Sequence, residues 1–197
     1  MAELGFLSFE ELLATFFEHP DAEAEIVRRY STRAAVLVMD FTAMGRRTDE
    51  RGIVFALALA RAAERALAPA ITAGEGTLVK RVADTLFVVF PGPHQALHAA
   101  FDANRRVEEF NRGRPDHIRG CIGLGWGDVI LVPQVDVFGP EVNRAFVLGE
   151  DIAKGGEVLA SLDFVEGLGA LPDGVGAHRG PADREHGFGF HVLRDFR

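Results

Sequence analysis

Two aspartates stand where the chemistry of a hard cation would need them. Asp40 closes the run AAVLVMDF (34–41), which is otherwise almost wholly apolar and β-branched. Asp84 lies in the two-residue gap between TLVKRV (77–82) and TLFVVF (85–90), the spacing of a tight β-hairpin. An acid at the end of an apolar run is costly to bury alone, so it calls for a cation or for solvent. If the first strand and the hairpin lie side by side in one sheet, both carboxylates reach one corner. Two oxygen ligands of that kind suit Mg²⁺, which takes one or two carboxylates and completes its shell with phosphate and water. Taken singly, each aspartate is equally compatible with a surface acid.

The other reactive side chains carry weaker signals. His94 and His98 are spaced i, i+4 on an amphipathic stretch, but no HExxH pattern surrounds them, and a solvated helix face accounts for them. Cys121, the single cysteine, reads as a small buried hydrophobe, and Trp126 as an anchor in the core or at an interface. There is no GxSxG elbow and no GxxxxGK[ST] loop.

The elements that must hold these residues follow from periodicity. Residues 1–33 read as a helical segment. Ser8 and Glu11 form a capping box, Leu12, Leu13, Phe16 and Phe17 recur at helical spacing, and a break at Pro20-Asp21 precedes a second short helix. Such a segment packs on its own domain or serves as a regulatory contact for a partner. Beyond it, 34–41 is a buried strand and 49–68 a helix. The hairpin 77–90 and a helix over 93–112 come next. Residues 118–132 form one strand, or two joined by a bend. A helix over 139–154 and short strands at 157–161 and 189–194 complete the pattern, with 163–187 Gly-rich and weakly patterned. The order β-α-β-β-α-β predicts an α+β fold with a ferredoxin-like core. That core is a mostly antiparallel sheet with helices on one face, and extra strands follow at the C-terminal end.

Composition bounds the rest. The chain has 197 residues, enough for one domain of 34–197 behind the helical segment, and its 48% hydrophobic content supports a core without disulfides. A formal net charge of −8 argues against a nucleic-acid partner. The first residues lack a basic signal-peptide region and no run of about 18 apolar residues occurs, so neither secretion nor a membrane span is expected and the cytoplasm is the expected location.

Four blocks of the chain, in order, resemble the catalytic domain of the class III nucleotide cyclases: AAVLVMDFTAMG, TLVKRVADTLFVVF, IRGCIGLGWGDV and VDVFGPEVNRAFVLGEDIAKGGEVLAS. The similarity covers roughly 34–162 and is most specific in the last two blocks. It implies an adenylate cyclase-like domain that converts ATP to cyclic AMP and pyrophosphate at the interface of a homodimer, with two Mg²⁺ or Mn²⁺ per site. Asp40 and Asp84 match the metal-binding aspartates. Lys80 and Asp136 match the pair that reads the purine, and Asn143 matches the asparagine that orients the ribose. A lysine that donates and a carboxylate that accepts suit the edge of adenine, so ATP is favoured over GTP. The GG[DE]EF signature of diguanylate cyclases is absent, the hairpin reading Val82-Ala83-Asp84-Thr85.

The chain also departs from the pattern. The arginine expected four residues after Asn143 is Val147, and Arg144 is about 100° further round the helix than Asn143. Ala43-Met44 stands for Gly-Phe, and Ala83 for the glycine before the second aspartate. Residues 163–197 hold no lysine to bind phosphate, which leaves Arg179 or Arg184 as substitutes. These departures make a nucleotide-binding or regulatory module of the same fold, without turnover, the alternative to an enzyme.

Overall fold

The computed structural model describes residues 4–181 and 186–196. Arg184 lies outside the described residues. Strand β1 (Ser31–Phe41) is the centre of the architecture and begins three residues before the apolar run itself. Its residues from Ala34 to Met39 are all buried because both faces are covered. Ala35, Leu37, Met39 and Phe41 join one core, and Ala34, Val36 and Val38 the other.

The hairpin forms as β2 (Thr77–Val82) and β3 (Thr85–Phe90), and 120–132 is a single strand, β4 (Gly120–Val132). Three-residue β5 (Asp136–Phe138) folds back on β4. The sheet closes with β6 (Val158–Ser161), β7 (Val175–Arg179) and β8 (Phe190–Asp195). The strand order is β2-β3-β1-β4-β6-β8-β7, with β5 paired to β4. Among the described residues, only the β4–β6 pair is parallel.

Helices α1 (Phe9–Thr15), α2 (Asp21–Tyr30), α3 (Met44–Arg51), α4 (Ile53–Ala73) and α5 (Pro93–Asn111) precede β4. Sequence periodicity implies one helix over 49–68. The structure has two, split at Gly52, whose φ of 89° ends one helix and opens the next, and the second continues through Pro69 to Ala73. Helices α4 and α5 pack on one face of the sheet and build its main core. Helix α6 (Pro140–Val147) lies on the opposite face. It sits so close to β4 that a Cβ at Gly123 would overlap the Ala145 carbonyl and one at Gly125 the Glu141 carbonyl. Gly123, Gly125 and Gly127 of that strand are therefore a docking groove for α6. The helix expected over 139–154 stops at Val147 and continues as a π-helical turn, Leu148–Ile152. Helix α7 (Leu162–Leu168) and β7 lie in the stretch whose sequence pattern was weak.

The capping box of α1 is present in both directions, Ser8 N–H donating to Glu11 at 2.6 Å and Glu11 N–H to the Ser8 hydroxyl at 3.3 Å. Phe9, Leu12, Ala22 and Ile26 bring α1 and α2 together against Val132.

Candidate functional site

Asp40 lies one residue from the end of β1. In the β1–β3 ladder Met39 pairs with Leu86, which sets the hairpin turn beside it. There Asp84 lies near enough to Asp40 for its charge to act on the Asp40 carboxyl. Burial, then the Glu150 carboxylate, then Asp84 push the pKa of Asp40 up to about 7. The corner that the two aspartates were expected to share thus forms, and it is strongly electronegative. Cys121, opposite Asp40 in β4, is buried, and its thiol is pushed up to about 11 by burial and then by Asp40.

Glu150 is a third acid at this corner that spacing does not reveal. A continuous α-helix over 139–154 would aim it elsewhere. The π-helical turn carries it, and its carboxylate accepts a hydrogen bond from the hydroxyl of Thr85, the residue after Asp84. Gly149 holds the turn against the sheet, where a Cβ would come within 2.9 Å of the Val38 carbonyl. Among the described residues no three His, Cys, Asp or Glu side chains form a set able to hold a metal ion. Two converging carboxylates do fit Mg²⁺ or Mn²⁺ bound together with a phosphate chain, and their mutual repulsion is what a divalent ion would relieve.

The second pair of candidate residues also meets. The Lys80 ammonium lies 2.6 Å from the Asp136 carboxylate, each side chain about one quarter exposed. A β-bulge between Leu78 and Lys80 pairs Lys80 with Phe87 and so aims it. Lys80 sits 4.6 Å from the centre of the Phe87 ring, and the Phe146 ring is stacked on Phe87. On the other side, Asp136 accepts the N–H of Val137 at 2.7 Å. Asn143 is exposed on α6. Phe146, one turn later, is a residue that the motif resemblance passes over.

Arg144 points away from this region, as its helical position implies. It binds Glu141 and, at 2.8 Å, Asp163. The buried Glu141 carboxylate also accepts from the Ser161 hydroxyl and, at 3.0 Å, from the Trp126 N–H. That N–H needs a partner. β6 pairs with 122–124 and β5 with 130–132, which leaves the β4 edge between them without a strand. Removing the carboxylate takes the acceptor from the Ser161 hydroxyl and the Trp126 N–H at once. Glu141→Ala is expected to destabilise the fold by about 2–3 kcal/mol in urea unfolding, the size typical of buried donors left without an acceptor. A cavity of about 670 Å³ opens beside this network, bordered by Arg33, Trp126 and Glu166, and none of the five candidate residues lines it.

The two small departures from the glycine pattern prove to be strained. Ala43 has φ 65° and Ala83 φ 54°, the left-handed region that glycine enters without penalty. Each sits beside a candidate metal aspartate, in the loop after β1 and in the hairpin turn. A left-handed alanine costs about 1–2 kcal/mol, part of which glycine returns through unfolded-state entropy. Ala43→Gly and Ala83→Gly are each expected to raise unfolding free energy by about 1 kcal/mol, read by urea denaturation.

His94 and His98 are exposed, in keeping with a solvated face, and Trp126 is half-buried against Gly167 with Arg33 over its ring at 5.3 Å. Among the described residues no helix is long and apolar enough to cross a membrane.

Solved structures share this architecture. An adenylate/guanylate cyclase/hydrolase from Silicibacter pomeroyi superposes with a TM-score of 0.70 at 23% identity, over 83% of this chain and 95% of that one. The guanylyl cyclase domain of the RhoGC fusion protein from Blastocladiella emersonii gives 0.71 at 16%, over 85% and 99%. The adenylyl cyclase CyaB from P. aeruginosa gives 0.68 at 17%, over 85% and 97%. No protein-family model matches the sequence, and no curated protein does. The fold is that of the class III nucleotide cyclase catalytic domain, a mixed α+β domain on a mostly antiparallel sheet.

Proposed function

We propose that this chain is an adenylate cyclase-like domain that binds ATP with two divalent cations and forms cyclic AMP and pyrophosphate at a homodimer interface. The observation that carries the reading is the pairing of β1 with the β2–β3 hairpin, which sets Asp84 in its turn beside Asp40 near the end of the central strand. In the proposed assembly these two aspartates come from one protomer. Lys80, Asp136 and Asn143 come from its partner, and a two-fold dimer holds two equivalent sites. Asp40 and Asp84 would hold Mg²⁺ or Mn²⁺. When bound, the ions lower the pKa of the attacking ribose 3′-hydroxyl and neutralise charge on the leaving pyrophosphate. Lys80 donates to a ring nitrogen of adenine, and Asp136 accepts from the exocyclic amine. Their ion pair sets donor and acceptor side by side before the base arrives. Asn143 turns the ribose so that the 3′-oxygen faces the α-phosphorus. Residues 1–33 are the proposed contact for a regulatory partner, and 34–197 the cyclase-like domain.

The test is to incubate the purified chain with ATP or GTP and Mg²⁺ or Mn²⁺ and to analyse the products by chromatography. Cyclic AMP from ATP, exceeding cyclic GMP from GTP, is the expected result. ATP binding without product would make the chain a nucleotide-binding module, and no binding of either nucleotide would overturn the reading.

A further inference from the structure

Recognition of a base by its edge leaves its flat faces in water unless something covers them. We propose that Phe146 is the stacking residue of the base site, so that the purine read by Lys80 and Asp136 lies against its ring. The inference rests on the nucleotide reading above and adds to it a residue that the motif resemblance does not supply.

Phe146 follows Asn143 by one helical turn, so the two project from the same side of α6. Its ring is parallel to that of Phe87 within 14°, with centroids 6.0 Å apart. Phe87 is buried and itself carries the Lys80 ammonium 4.6 Å from its centre. One buried ring therefore supports both the cation of the base-reading pair and a second aromatic ring. Phe146 remains 37% exposed, far more than a core phenylalanine such as Phe90 at 2%. Its contact with Phe87 is satisfied within the chain, and its exposed surface is available to an occupant.

The chemistry beside it selects that occupant. Lys80 and Asp136 present a hydrogen-bond donor and an acceptor 2.6 Å apart. That is the complement of an aromatic heterocycle with an acceptor nitrogen next to an amino group. A flat molecule held by that edge puts a π-face against a neighbouring ring. Stacking tolerates any base, so Phe146 sets how tightly the base is held, and Lys80 with Asp136 set which base it is. An apolar side chain from a second copy of the chain is the competing occupant.

The experiment titrates the full chain with ATP in the presence of Mn²⁺ by calorimetry, and with inorganic tripolyphosphate as a probe that lacks a base. Phe146→Leu keeps an apolar side chain but removes the π-face, and Phe146→Trp enlarges it. Phe146→Leu is expected to weaken ATP binding about ten-fold, Phe146→Trp to match or exceed the native affinity, and tripolyphosphate to bind all three proteins equally. Unchanged ATP affinity in Phe146→Leu would overturn the proposal, whether or not the dimer dissociates. Equal loss of ATP and tripolyphosphate would overturn it too, since the effect would not be on the base. Lys80→Ala separates the two claims. If it loses ATP affinity while Phe146→Leu does not, only the stacking role falls. If the native chain binds no nucleotide, both fall.

Discussion

Asp40→Ala is expected to lower cyclic AMP formation by at least about a thousand-fold and, at the same time, to stabilise the metal-free protein. Charge stabilisation by bound metal is worth several kcal/mol in the transition state, and each 1.36 kcal/mol is a factor of ten in rate. The opposite effect on stability comes from the same corner. Asp40 is partly buried and faces Glu150 and Asp84, so its ionised form is disfavoured in the fold. Its pKa rises from 3.8 in the unfolded chain to about 7. Between these values the native protein holds a proton that the unfolded chain has released. Stability of the metal-free protein therefore falls as pH rises from about 4 to above 7, and Asp40→Ala removes this part of the slope. Urea unfolding at pH 5 and pH 8, with chelator, reads it directly. Loss of activity together with a gain in stability would mark a strained functional site. A variant that retains cyclic AMP formation would remove Asp40 from the reaction.

Val147→Arg is expected to raise the rate of cyclic AMP formation by about a thousand-fold or more, in the range that arginine contacts contribute to phosphoryl chemistry. Residue 147 follows Asn143 by four positions, one helical turn, so a side chain there points to the same side as the residue proposed to orient the ribose. Valine offers no charge at that place. Arg144 cannot replace it, because its guanidinium is engaged by Glu141 and Asp163. A coupled assay of product formation at saturating Mn²⁺ and ATP compares the two proteins. Turnover unchanged from the native level, with ATP binding retained, would show that the missing arginine is not what limits the chain.

The sequence makes the central strand, the hairpin, α5 and the paired residues of the site readable for a simple reason. Each depends on a local pattern whose period or turn spacing survives in isolation. β1 is a continuous apolar run because α4 and α5 cover one face and α6 the other. The Asp40–Asp84 corner needs only the pairing of that strand with that hairpin. Elements set by long-range contact stay hidden. Strand β5 has three residues, too few to show alternation, and exists because β4 offers it a partner. Glu150 joins the acidic corner through a π-helical turn that periodicity cannot separate from an α-helix. Ala43 and Ala83 look like harmless small-residue replacements until their backbone angles are known.

Strand β5 has a further consequence. It carries Asp136 at one end and Phe138 at the other, and the Phe138 ring is stacked on Phe9 of α1 at 5.9 Å. Paired to β4 through all three of its residues, the strand also meets α1 through that ring contact. The leading helices and the carboxylate facing Lys80 thus abut the two ends of one short arm, though they lie far apart in the chain.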